Sequence, residues 1–552
     1  MASPALIEQA ALKVFGIPEL AHLICVTVRK GDNVNLMRVC RELFYAILPF
    51  VWEELDEVYP LVSMIPGGDI VTYDSDWSPC MVMQLPDSLN LARFNIYAPH
   101  VKRLTPSARH IDEYNGWERF LPCTQYIDLL PNLETLCLPS PDNTRYTSNN
   151  RTVEVDSVNW VTTFLSTSLQ TLVLAPREVT FFSRDALWLD SSLFHTLMTS
   201  VSWKCPHLRS LSILPASIAL SDSTPRRRSN PTRHVSFSCN PPEIYMNFLQ
   251  LRNLSSLMIS PVILSLDTLV ALSSLPCLET LCVLGYKNNH QVYCDHLKLP
   301  TEAFPALKHL ELNRLTWRNI GNLCSAAPLV AGLHSLSIVY PSRLEVHLGE
   351  EQFTNLSDII PLLAVSNSDI TTLTVRDFED HRISPEVLRY WKRLPLVNLH
   401  LGWSIKRYCG FGGLCSILSC LPLLEVLKLN MAQSAFDLRE LRTIIEHLPR
   451  LCHIRIPVKW ESVSELTEAD FAPSQSQRDN ILYLKSDFYL PGPQQENAKG
   501  LARYLSVLRP LALVICESYQ PYSSIYATGN YIDEEPKDII NAELLRLRLA
   551  CI

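Results

Sequence analysis

The residues that could do chemistry are few, and their spacings decide what they can do. His290, Cys294 and His296 are metal-ligand types within one short segment, but their separation matches no closed zinc site. No Cys-x-x-Cys pair occurs, which removes the usual spacing of a zinc ribbon or a redox dithiol. Gly410-Phe411-Gly412-Gly413 lacks the Lys-Ser/Thr that a phosphate-cradling loop needs next, so it reads as a loop. Neither Gly-x-Ser-x-Gly nor His-Glu-x-x-His is present. Arg226-Arg227-Arg228-Ser229 offers a basic patch beside a hydroxyl; phosphorylation there would set a dianion against three guanidinium groups. The expectation is a chain with no catalytic residue, no metal and no cofactor: a binder, not an enzyme.

What could bind depends on the elements that present it, and those are written in a repeat. An apolar-x-x-Leu-x-apolar frame starts at Leu133, Leu169, Leu208, Leu254, Leu278, Leu307, Leu333, Ile370, Leu396, Leu424 and Leu451, with a degraded copy at Ile481. From Leu254 on, most starts lie 24 to 29 residues apart, with one interval of 37; the earlier intervals are 36, 39 and 46. Leucine-rich repeats run at about 20–29 residues per unit. Stretches such as Leu438-Arg-Glu-Leu-Arg-Thr-Ile-Ile between the frames have apolar residues three and four apart, as helices do. One strand-and-helix unit cannot bury its leucines alone, but stacked neighbours share a continuous core. The expected fold is α/β, with a curved leucine-rich-repeat solenoid of strand–helix units over 131–486. The segments at about 139–159 and 221–240 read as loop insertions, 59–130 as linker and first irregular repeats, and 487–552 as a C-terminal capping region.

In a strand, alternate side chains point to opposite faces, so the residues flanking the fourth-position Leu face away from the core. Early frames offer Thr135, Cys137, Thr171, Val173, Ser210 and Ser212 there. Late frames offer His309, Glu311, Asn398, His400, Val426, Lys428, His453 and Arg455. The row gains charge toward the C-terminus, and its charged and polar members are the candidates for holding a protein substrate.

Bulk composition agrees with a soluble binder. Of 552 residues, 47% are apolar and 19% charged, enough for a large core. The net charge of -8 gives no general attraction to phosphate backbones, so nucleic acid is not an expected partner. No run of 18 or more apolar residues is present, so no membrane partner is expected. Many of the 17 cysteines sit inside leucine-rich strands, as small apolar residues do in a reducing compartment; cytoplasm or nucleus is expected. Prolines, 38 in all, often stand just before a frame.

Residues 1–58 differ from the rest. Pro18 and Glu19 suit a first helical turn, and Leu20, Leu23, Ile24, Thr27 and Val28 follow helical spacing. Gly31-Asp32-Asn33 is expected to break that helix and cap the next, in which Leu36, Val39, Cys40, Leu43, Ile47 and Leu48 share a broad face. Pro49 ends or kinks it, and Trp52 and Leu55 follow in a final turn. Ile17-Pro18-Glu19-Leu20, then Val39-Cys40-Arg41, then Pro49 and Trp52 resemble the F-box, and the whole layout resembles the F-box-like families of basidiomycete fungi. The chain departs from the F-box pattern at Leu43-Phe44, where many members carry Trp, at Ile17, where Leu is common, and by one residue in the opening. The resemblance implies a three-helix F-box-like module docking on a Skp-type adaptor, and through it on a cullin-RING ubiquitin ligase, by Ile17, Pro18, Leu20, Ile24, Leu36, Val39, Cys40, Phe44, Pro49 and Trp52. The alternative is that these helices only cap the open end of a binding scaffold.

Overall fold

The computed structural model describes residues 13–73, 79–107, 111–138, 150–175, 188–189, 191–215, 244–261, 266–285, 297–339, 356–366, 369–378, 385–403, 410–431, 435–472, 481–486, 494–516 and 536–550. They form two compact units, 1–279 and 280–552.

After a helical turn at 13–15, the described part of the first unit carries three helices before its first strand. Helix α1 (Pro18–Thr27) has its proline at N1, where no backbone donor is lost, and Glu19 in the first turn. It ends at Thr27, whose hydroxyl turns back to donate to the Leu23 carbonyl at 2.9 Å. Helix α2 spans Lys30–Met37, so Gly31-Asp32-Asn33 does not break a helix but lies inside one; the break falls at Val28-Arg29. Asn33 is not a cap. It is buried, and its amide donates to the Cys25 carbonyl at 2.8 Å, tying α2 to α1. The expected second helix is therefore two, because Arg38–Cys40 turn the chain before α3 (Arg41–Trp52). Pro49 sits within α3 without ending it. Leu43, Ile47 and Val51, four residues apart, pack with Cys25 of α1 into the core of this bundle. Leu55 leaves the helix and enters a strand.

Six parallel strands follow: β1 (Glu54–Glu57), β2 (Arg103–Ser107), β3 (Thr135–Cys137), β4 (Thr171–Val173), β5 (Ser210–Ser212) and β6 (Ser256–Ile259). Their register sets Leu55, Leu104, Leu136, Leu172, Leu211 and Leu257 in one buried row. Each such side chain contributes about 1.5–3 kcal/mol on burial. The stack thus begins at Glu54, within the segment assigned to the helical module. Two copies, around Leu55 and Leu104, escape the frame because Glu57 and Pro106 stand in its last position, where an apolar residue belongs. Of the expected loop at 139–159, residues 139–149 lie outside the described residues and the rest is helical, in Asn150–Phe164, whose apolar Val158, Trp160 and Val161 outweigh the polar start. The helices Ser191–Lys204, Ile244–Gln250 and Leu266–Ser273 complete the later repeats. Between β1 and β2 the chain adds two antiparallel strands (Asp69–Tyr73 and Cys80–Gln84), and Glu113–Asn115 pairs with the second. Gly116 follows with φ 104°, and a Cβ there would meet the Leu85 carbonyl oxygen at 3.1 Å.

The second unit holds nine parallel strands: β7 (Thr280–Leu284), β8 (His309–Asn313), β9 (Ser335–Val339), β10 (Thr372–Phe378), β11 (Asn398–Trp403), β12 (Val426–Met431), β13 (His453–Arg455), β14 (Leu482–Ser486) and β15 (Ala512–Cys516). Leu281, Leu310, Leu336, Leu373, Leu399, Leu427, Ile454, Leu484 and Val514 stand in register, all buried. The degraded copy at Ile481 forms β14, and the region expected to cap the end adds β15 and the helices Gln494–Leu508 and Pro536–Ala550. Gly410–Gly413 is not a loop but the start of the helix Gly410–Leu418, carried by the buried Leu414, Ile417 and Leu418. In the helix Leu438–His447, Asp437 accepts from the Glu440 amide at 2.7 Å, and Glu440 accepts from the Asp437 amide at 3.0 Å, a reciprocal cap.

The prolines before the frames have one structural job. In Leu130-Pro131-Asn132-Leu133, Cys205-Pro206-His207-Leu208, Phe304-Pro305-Ala306-Leu307, Leu421-Pro422-Leu423-Leu424 and Leu448-Pro449-Arg450-Leu451, the fourth residue's N–H donates to the first residue's carbonyl at 3.1 to 3.2 Å. Proline at the second position of such a turn presets its φ and loses no needed donor. The turn then delivers the frame's first leucine into the core.

Candidate functional site

Two surfaces carry the residues singled out by sequence. The first is the helical bundle. Ile17 and Leu20 are exposed, Pro18 is exposed, and Val39, in the turn before α3, is 66% exposed. Helix α1 buries Ala21 and Cys25 instead, which leaves Leu23 (60%) and Val26 (65%) in solvent beside Leu20. Neither Leu23 nor Val26 was among the candidates; the successive i, i+3 steps from Leu20 to Leu23 to Val26 were the available signal. The other candidates turn inward to different degrees. Ile24, Leu36, Cys40 and Pro49 are half-buried, with Leu36 and Cys40 packed on the bundle core. Phe44 and Trp52 do not join the exposed stripe. Both rest on Tyr97, Phe44 edge-on with centroids 6.2 Å apart and Trp52 tilted at 4.6 Å, which ties α3 to the helix Phe94–Tyr97 of the first repeats. Nearby, Lys102 pairs with Glu53 at 3.1 Å, an exposed bridge of small energetic weight.

The second surface is the outward face of the strands. The expected alternation holds for most positions. His309, Lys428, His453 and Arg455 are exposed, and Glu311, Asn398 and His400 are half-buried. Ser212 departs from it: it is buried, and its hydroxyl donates to the Ala175 carbonyl at 2.5 Å. Strand register joins these residues into two rows in the second unit. One runs Asn398, Val426, His453, Tyr483; the other runs His400, Lys428, Arg455, Lys485. His453 and Tyr483 stack with ring centroids 4.7 Å apart. Arg376, exposed two residues beyond Thr374 on β10, adds a further cation where the β10–β11 register slips. Burial, then the positive charges of Arg376, Lys428 and Arg455, pull His400 from 6.5 down to about 4. His400 is therefore neutral at pH 7.

No family model matches the chain, and no curated protein matches it. Among solved structures the chain is similar to the one titled "Crystal structure of TLR13-ssRNA13 complex", at 13% identity over 77% of this chain and 57% of that one, with a TM-score of 0.29. The chain thus spans well under two thirds of that protein's length, and at that score the likeness carries no argument. The fold rests on the chain's own strands: parallel, in register, and built on a leucine frame, it is a leucine-rich-repeat stack of mixed α/β type.

Among the described residues no three His, Cys, Asp or Glu side chains converge as a metal site would require. None of their helices is long and apolar enough to cross a membrane. Buried thiols behave as apolar groups; burial alone pushes Cys324 up to about 12. His290, Cys294, His296 and Arg226–Ser229 lie outside the described residues.

Proposed function

We propose that the chain is the substrate-recognition adaptor of a Skp–cullin–F-box ubiquitin ligase, working in the cytoplasm or nucleus. Its helical bundle docks on a Skp-type adaptor and its strand face holds a protein substrate. The observation that carries the docking half is the stripe of Ile17, Leu20, Leu23 and Val26 along α1, with Val39 near α3, all apolar and exposed. A bundle that folds around Cys25, Leu43, Ile47 and Val51 has no internal use for them. Each would contribute about 1.5–3 kcal/mol on burial in a partner, against an association cost of about 4–15 kcal/mol. The ubiquitin chemistry resides in other subunits.

A second reading has its own observation. Phe44 and Trp52 pack on Tyr97, as they would if the helices only closed the end of a repeat scaffold with no ligase link. Co-purification of the full chain with a Skp-type adaptor separates the two. Stoichiometric capture that Leu20→Asp or Leu23→Asp abolishes, with the circular dichroism spectrum unchanged, is the expected result. Failure of the folded wild-type chain to capture the adaptor would leave the scaffold reading in its place.

A further inference from the structure

We propose that the helix Pro536–Ala550 closes the free edge of β15 against a second copy of this chain. Asn541 and Arg548 occupy the backbone groups through which the β15 strands of two copies would otherwise pair. Along a strand, successive residues turn their backbone groups to one side and then to the other. Leu482 of β14 donates to the Leu511 carbonyl at 3.4 Å, so Leu511 and Leu513 serve β14, while Ala512 and Val514 turn outward. Among the described residues β15 is the last strand of its sheet, and no strand lies beyond it. All four outward groups of Ala512 and Val514 are nonetheless taken. The Ala512 N–H donates to the Arg509 carbonyl at 3.0 Å, and the Ala512 carbonyl accepts from the Arg548 guanidinium. The Val514 N–H donates to Asn541 Oδ1 at 2.9 Å, and the Val514 carbonyl accepts from Asn541 Nδ2 at 2.7 Å. Asn541 thus makes the two bonds that a further strand would make there. Arg548 donates a second time, from Nε to the Pro510 carbonyl at 2.8 Å.

The strand's own sequence selects the occupant. An open edge is a template for another strand, and proteins blunt it with charge, with proline or with a covering element. β15 reads Ala-Leu-Val-Ile-Cys, with neither charge nor proline, and a short uncharged apolar run of this kind pairs with its own copies. β1 in the first unit also has a single strand neighbour, and it is blunted differently. It carries Glu54, Asp56 and Glu57, and Lys30 donates to its Glu54 carbonyl at 2.5 Å. Pairing β15 with β1 of another copy would set those carboxylates beside an apolar strand and displace Lys30. The match for β15 is therefore β15 of a second copy. Two identical edges related by a twofold axis pair antiparallel and close the assembly at a dimer. The helix is held over the edge by Ile540 and Leu544, both buried and on the face that carries Asn541 and Arg548.

The test is sedimentation velocity of the full-length protein over a range of concentrations, with circular dichroism as the check on folding. Asn541→Ala/Arg548→Ala should form a concentration-dependent species of about twice the wild-type mass. Adding Leu513→Lys, at an exposed position of β15, should abolish that species, because it sets like charges across the new strand pair. Arg546→Ala removes only the outer bridge from Arg546 to Glu543 and should leave sedimentation as in wild type. If the double variant does not fold, Asn541→Asp takes its place. It keeps the acceptor for the Val514 N–H, loses the donor to the Val514 carbonyl, and should give a smaller gain in the same species. The inference is overturned if a folded variant of Asn541 sediments as wild type at every concentration. It is equally overturned if Leu513→Lys leaves the new species intact, or if assembly grows past the doubled mass.

Discussion

Each unit is built on the same kind of leucine row, and the two present different faces. In the first, Leu104, Leu136, Leu172 and Leu211 form the buried row, and the outward positions are Thr135, Cys137, Thr171, Val173 and Ser210. In the second, Leu373, Leu399 and Leu427 form the same row, and the outward positions are His400, Lys428, His453 and Arg455. The leucine frame and the outward residues are therefore independent variables. Alternation places them on opposite faces, so the frame can repeat unchanged while the face is rewritten for a partner.

The largest effect should come from breaking what the units share. Leu172→Ala and Leu427→Ala each remove a fully buried side chain from the row, and each should cost about 2–5 kcal/mol, read as a lower denaturation midpoint. If one were silent, the rows would not be equivalent. A smaller pair sharpens the difference. Gly116→Ala forces a side chain into a left-handed backbone against the Leu85 carbonyl and should destabilise by about 1–2 kcal/mol. Gly412→Ala meets nothing within 4 Å on an exposed helical position and should stabilise by about 0.5–1 kcal/mol. Calorimetry should show the two substitutions moving the transition in opposite directions.

The smallest effect is a divergence with pH. In the first unit, burial raises Asp156 from 3.8 to about 6 despite the 2.7 Å hydrogen bond donated by the Trp117 indole. Its folded form holds a proton more firmly, so its contribution is present below pH 3.8 and is lost as pH rises through about 6. His400 in the second unit works the other way: its contribution is present above pH 6.5 and is lost as pH falls toward 4. Between pH 7 and 5, Asp156→Asn and His400→Gln should therefore change the pH slope of stability in opposite senses. Equal slopes in both variants would contradict the assignment.

Much of this was legible in the chain. Eleven frames, their spacing and the prolines before them specify short parallel strands joined by helices, because a leucine every third and second position can be buried only by stacking. The outward His309, Lys428, His453 and Arg455 followed from strand periodicity, whereas Ile17, Leu20 and Val39 were singled out only by the F-box resemblance. The strands around Leu55, Leu104 and Val514 did not, since Glu57 and Pro106 break the frame's last position and Val514 replaces its central leucine, and only pairing with a neighbouring strand reveals them. The helix at Gly410 was hidden by glycines whose low propensity is overridden by the burial of Leu414 and Leu418.

What the sequence by itself determined is the repeat, the inward and outward alternation within each strand, and the turn that starts it; these depend on residues no more than a few positions apart. Tertiary structure alone decided that Phe44 and Trp52 turn onto Tyr97, and that Arg376, His400, Lys428 and Arg455 share one electrostatic neighbourhood. Both depend on which distant segments are brought side by side. Register between strands more than twenty residues apart is set by packing of the shared core, and no local pattern encodes it.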